Sequence, residues 1–128
     1  MSGKVEGSFM ALILNSKKNT LIAHISGDFD LVKANQYREQ IDRNLAETMS
    51  QNLLLDLAKT TFIDSSGLGV IMGRYRKVKA NHGQMIIYGV SPRIRKIFEL
   101  SGILSLMPVC SSEEAAWKIL EENTRKEA

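Results

Sequence analysis

Apolar and polar positions along this chain recur with a period that changes several times. Phe9 to Leu14 is a short apolar run, and the polar stretch Asn15 to Asn19 after it reads as a turn. Leu21 to Ile25 resumes as a strand and stops at Gly27. Two apolar runs flanking a polar turn predict a hairpin. From Leu31 to Met49 the period becomes helical. Leu31, Ala34, Tyr37, Ile41, Leu45 and Met49 fall at steps of three or four and form one apolar stripe. Asp30 stands just before it, placed to cap its free amides.

Leu53 to Leu57 is short enough for a buried strand. A second helix is predicted from Ser65 to Lys79, with Leu68, Ile71, Met72, Tyr75 and Val78 inward and Arg74, Arg76, Lys77 and Lys79 in water. Asn81-His82-Gly83 ends it, because Asn and Gly tolerate the left-handed cap conformation. Met85 to Tyr88 is the next strand. Ser91-Pro92 opens a third helix that carries Ile94, Ile97, Phe98 and Leu100 and stops at Gly102. Leu106 to Cys110 reads as a last strand. Ser111 and Glu114 have capping-box spacing and open a final helix through Ala115, Ala116, Ile119 and Leu120. The order β-β-α-β-α-β-α-β-α predicts an α/β fold, a mixed sheet of about five strands covered by about four helices. A single domain is expected over residues 8–123, with 1–7 and 124–128 as flexible tails.

A chain of 128 residues buries about two thirds of its unfolded surface, so neither disulfide nor metal is needed to fold it. Cys110 is the only cysteine, which excludes an internal disulfide. Together with the lack of a roughly 20-residue apolar span or a secretory leader in Met1 to Met10, this gives the expectation of a cytoplasmic protein with no membrane partner. The 17 basic and 14 acidic residues leave a charge of +3, spread along the chain, so direct nucleic-acid binding is not expected. One cysteine and two scattered histidines do not make a metal site, and no cofactor is expected.

The densest functional signal is Phe62-Ile63-Asp64-Ser65-Ser66-Gly67-Leu68-Gly69, where the third strand turns into the second helix. Helix-start amides lack internal partners and the dipole is positive there, which suits a phosphate. On spacing alone, Asp64 to Gly67 reads first as a capping segment. A hydrolase elbow needs Gly-x-Ser-x-Gly, and Ile63 stands where the first glycine belongs. Gly67, Gly69 and Gly73 are spaced one residue too far for a dinucleotide fingerprint, and no Gly-Lys-Ser/Thr triplet exists. These glycines read instead as places where the helix nears the sheet. Gly27-Asp28-Phe29-Asp30 forms a second cluster, which on spacing alone is an ordinary turn and cap.

At these residues a family resemblance enters. Leu53 to Gly73, LLLDLAKTTFIDSSGLGVIMG, resembles the STAS-domain anti-sigma factor antagonists, most closely the sporulation sigma-F type. The likeness runs on through Arg74-Tyr75-Arg76, Gly83-Gln84-Met85, Ser91-Pro92 and Ile97-Phe98-Glu99-Leu100-Ser101-Gly102. Gly27-Asp28-Phe29-Asp30 falls where the family carries Gly-Glu-Leu-Asp. The resemblance covers about residues 9 to 120 and implies a STAS fold without enzymatic activity. It implies a protein that, unphosphorylated, binds an anti-sigma factor that is also an ATP-dependent serine kinase, and so frees the sigma factor. It further implies that phosphorylation of Ser65 releases the partner and that a metal-dependent serine phosphatase resets the switch. Asp30, Asp64, Ser66, Gly67 and Leu68 are the implied neighbours of the phosphosite, with Arg74 and Lys77 as rim contacts. A general-stress regulator of the same fold and a small-molecule or nucleotide-binding module using the same turn stand as alternatives.

Overall fold

The computed structural model describes residues 11–127. A hairpin, β1 (Leu12–Lys17) and β2 (Thr20–Phe29), leads into α1 (Leu31–Glu47) and β3 (Asn52–Ile63). Then follow α2 (Ser65–Ala80), β4 (Met85–Tyr88), α3 (Pro92–Ser101), a 3-10 turn Ile103–Ser105, β5 (Val109–Cys110) and α4 (Glu113–Glu127). The sheet order is β1-β2-β3-β4-β5. β1 is antiparallel to β2, and the remaining neighbours are parallel. The expected mixed α/β sheet of five strands with four helices is the one observed.

Strand alternation sorts the residues into two layers. Leu21, Ala23, Ile25, Leu53, Leu55, Leu57, Met85 and Ile87 share one core with Ala34, Tyr37, Ile41 and Leu45 of α1, Val70, Ile71 and Val78 of α2, and Ile94 and Phe98 of α3. Their neighbours Ile22, Leu54, Ile86 and Tyr88 point the other way and pack on Ala116 and Leu120 of α4. Three helices therefore cover one face and one helix covers the other.

The ends of β2 and β3 meet through two irregularities. His24 pairs with Asp56, Ser26 with Lys59, and Asp28 with Phe62, so β3 gains a residue on β2 at each of two register shifts. Bulges of this kind bend and twist a strand. Their net effect is that Phe29 lies beside Ile63, and the start of α1 comes next to the start of α2.

Several predicted boundaries move. The hairpin turn narrows to Lys18 and Asn19, both at positive φ (53° and 61°), because Asn15, Ser16 and Lys17 pair with Ile22, Leu21 and Thr20. A two-residue turn of this hand follows strand twist, and polar side chains suit an edge strand. Phe9 and Met10 lie outside the described residues, as does the tail at 1–7. Met49 leaves the α1 stripe: it follows the helix at φ 53° and is 84% exposed. Leu31, at the helix start, is also exposed, as is Leu100, which sits off the Ile94–Phe98 face of α3. Leu106 to Pro108 are not strand, and β5 is only Val109–Cys110. Ser112, not Ser111, caps α4 by accepting from the Ala115 amide. Residues 124–127, expected as tail, continue α4.

Candidate functional site

The junction of β3 with α2 is organised by one carboxylate. Asp64 holds an extended backbone (φ −105°, ψ −173°) as N-cap of α2. Its Oδ1 accepts from the amides of Ser66 (2.9 Å) and Gly67 (3.1 Å). Its Oδ2 accepts from the Leu31 amide at 3.1 Å. Asp64 thus caps α2 and α1 together. Asp30, expected to cap α1, supplies no side-chain cap bond. Its Oδ1 is buried without a partner. Burial, with Asp30's charge as a lesser cause, raises the pKa of the Tyr37 phenol. Asp28 is turned to Thr61, whose hydroxyl donates to it at 2.9 Å.

Ser65 is the first residue of α2 and is exposed. Two of the helix-start amides expected to receive a phosphate, those of Ser66 and Gly67, already bond to Asp64. A group on the Ser65 hydroxyl would therefore stand outward in solvent, favoured by the helix dipole and crowded by the Asp64 carboxylate. Gly67 lets α2 seat against β2: a Cβ there would lie 2.4 Å from the Phe29 carbonyl oxygen. Gly69 and Gly73 have open space instead, so the expectation of close approach holds only at Gly67.

Arg74, expected in water on α2, is 8% exposed. Its Nε lies 2.9 Å from Asp42 Oδ1, outside hydrogen-bond geometry, so the pairing is one of charge. Burial lowers its pKa against the favourable field of Asp42. Lys77 remains half-exposed, its Nζ 3.9 Å from Asp42 Oδ2. Leu68 is half-buried against the main core.

Around Ser65 the surface carries exposed apolar groups, among them Leu31, expected in the buried α1 stripe, and Val32, which no pattern singled out. Leu31 and Val32 are 72% and 83% exposed, and Phe62 is 44% exposed. A groove of about 420 Å³ between α1 and α2 begins beside them, lined by Leu31, Ser66, Gly69, Gly73 and Arg76 among others. The available signal was Val32, an apolar residue off the helical stripe. Neither histidine serves Ser65. His24 bonds Asp56 at 2.7 Å on the α4 side of the sheet, and His82 lines a cavity with the β1–β2 turn. Among the described residues no group of three or more His, Cys, Asp or Glu could hold a metal. No helix among them is long and apolar enough to cross a membrane.

Comparison with known proteins agrees with this architecture. The STAS domain family matches residues 11–116. The anti-sigma F factor antagonist of Paenibacillus polymyxa is 33% identical over 104 residues, covering 81% of this chain and 89% of its own. The anti-sigma factor antagonist SpoIIAA in its unphosphorylated form matches at TM-score 0.69 and 25% identity, over 87% of this chain and 98% of that one. The Bacillus cell fate determinant SpoIIAA in its phosphorylated form matches at the same TM-score of 0.69 and 28% identity, over 85% and 99%. This chain belongs to the STAS-domain family, among the anti-sigma factor antagonists.

Proposed function

We propose that this protein is a cytoplasmic partner-switching regulator without catalytic activity of its own. In the unphosphorylated form it binds an anti-sigma factor that is also an ATP-dependent serine kinase, so that the sigma factor is freed. The kinase phosphorylates Ser65 and the phosphoprotein lets go; a serine phosphatase restores it. The observation that carries this reading is the exposed Ser65 hydroxyl at the first position of α2, beside the exposed Leu31, Val32 and Phe62. A kinase can reach that hydroxyl, and a partner can bury the apolar groups around it. The relative named for sigma F supports a sporulation-type partner over a general-stress one.

The switch is one of surface charge. A phosphate adds about −1.5 to −2 charges at neutral pH. Set against a partner pocket holding nucleotide phosphates, it would be a like-charge juxtaposition costing several kcal/mol, and each ~1.4 kcal/mol is a tenfold change in affinity. The equal match of this fold to the phosphorylated and unphosphorylated forms of SpoIIAA supports release without refolding. Asp30, Asp64, Ser66, Gly67 and Leu68 shape the phosphosite in this reading. Lys77 is the rim cation left for the partner, whereas Arg74 acts through the α1–α2 packing.

The test is a pull-down from the native lysate with wild type, Ser65→Ala and Ser65→Asp, each with ATP or ADP. Retention of a serine-kinase anti-sigma factor by wild type and Ser65→Ala, and its loss by Ser65→Asp, is expected. Equal retention by all three, or no kinase with any, would overturn the reading.

A further inference from the structure

A cavity lies at the end of the sheet opposite Ser65. It encloses about 680 Å³, within the range of small-molecule pockets. The β1–β2 turn, the starts of β3 and β4, and the outer half of α4 wall it in, through Lys18, Asn52, Gln84, Trp117, Glu121 and Arg125. The 12 residues of β3, at about 3.3 Å each, set it roughly 35 Å or more from the Ser65 turn.

Two features of its lining are free for a ligand, and a third is not. Gln84 is 8% exposed. Its Nε2 donates to Thr124 Oγ1 (3.1 Å) and the Leu120 carbonyl (3.4 Å), yet its Oε1 is buried and accepts nothing. That oxygen has no surface open to solvent, so it lies behind the cavity wall and out of reach of a ligand. Trp117 gives its indole N–H to Glu113 at 3.0 Å, leaving the ring as a plane. The Lys17 and Lys18 ammonium groups stand 5.6 and 5.9 Å from its centroid. Neither Lys18 nor Arg125 has a carboxylate within ion-pair distance among the described residues. Asn19 and Gln51, by contrast, are bound to each other.

We propose that this cavity binds a planar aromatic anion. The ring lies beside Trp117, and the anionic group sits with Lys18 and Arg125. Glu121 on the rim favours a single negative charge over several. The site is distinct from the Ser65 surface and does not depend on the partner-switching reading.

Trp117 is the only tryptophan, so its emission reports on this cavity. The full chain is titrated with 1-anilino-8-naphthalenesulfonate, which has the rings, the N–H and one sulfonate. In parallel it is titrated with N-phenyl-1-naphthylamine, the same rings and N–H without the charge. The sulfonate is expected to bind one to one, quench Trp117 and exceed the neutral probe by about tenfold in affinity, as two partly exposed cation contacts allow. The exposed-site double variant Lys18→Gln/Arg125→Gln, with its fold checked by circular dichroism, should abolish that preference. Equal affinity of wild type for the two probes, sulfonate binding that leaves Trp117 emission unchanged, or a preference that survives in the double variant would each overturn the proposal.

Discussion

Asp64 Oδ2 accepts a hydrogen bond from the Leu31 amide at 3.1 Å, so one carboxylate on α2's N-cap also ties down the first turn of α1. The bond crosses between elements that the two register shifts of β2 on β3 bring together. A cap side chain is worth about 1 kcal/mol, and Asp64 serves two helix starts. Asp64→Ala should cost about 2–3 kcal/mol in urea unfolding. Asp64→Asn, which keeps one acceptor oxygen, should cost less than half of that. Equal losses would mean that the acceptor oxygen retained by asparagine contributes nothing.

Arg74 and Asp42 make a different kind of tie between α1 and α2. With Arg74 at 10% and Asp42 at 21% side-chain exposure, the pair is largely desolvated. Removing one partner from such a pair leaves the other charge buried. Arg74→Ala should destabilise by about 2–3 kcal/mol, whereas Lys77→Ala, half-exposed, should change stability by less than about 0.5 kcal/mol. If the Ser65 surface is the partner site, Lys77→Ala should instead show itself as a salt-sensitive loss of partner on-rate, read by stopped flow.

Tyr88 gives the fold an alkaline limit. Its phenol is buried beside Asp56 and Glu113 and donates to Glu113 Oε1 at 3.3 Å. Burial first, and then the two carboxylates, push its pKa above the ordinary tyrosine value of 10.0. A folded-state pKa raised above the unfolded one means that the native state holds the proton more tightly. The stabilisation is full below the ordinary value and is lost as pH rises past it. Thermal melts between about pH 8 and pH 11 should fall more steeply for wild type than for Tyr88→Phe. Parallel curves would remove Tyr88 as the cause.

Much of this was legible from spacing. The α1 stripe Ala34, Tyr37, Ile41 and Leu45 is buried, and Asp64 caps the helix that its position announced. The misreadings share a physical origin. Arg74 continues the inward series Ile71, Arg74, Val78 at steps of three and four, but a charge was assigned to water because its partner, Asp42, lies on another helix. The Asp64–Leu31 bond depends on two bulges, and a bulge shifts pairing without leaving a mark in the hydrophobic period. Leu100 and Met49 are apolar residues at element edges, where side-chain direction is set by tertiary packing and the helical period has run out.

Gly69 and Gly73 separate folding from recognition. Both sit inside α2 on the groove lined by Leu31 and Ser66, and a Cβ at either would meet nothing within 4 Å beyond the adjoining backbone of α2. Glycine in a helix interior costs about 1 kcal/mol against alanine, so Gly69→Ala and Gly73→Ala should each stabilise the fold by about 0.5–1 kcal/mol. Gly67→Ala should do the opposite and lose several kcal/mol, because its Cβ would meet the Phe29 carbonyl oxygen at 2.4 Å. The added methyls at 69 and 73 would stand in the groove. If a partner helix or loop seats there, both stabilised variants should bind the anti-sigma factor at least about tenfold more weakly, since a misplaced methyl in a packed interface costs about 1–3 kcal/mol. Titration calorimetry of variants already shown to be more stable than wild type would leave misfolding no part in the result. Unchanged affinity would place the partner on the Phe62 side of Ser65 and away from the α1–α2 groove.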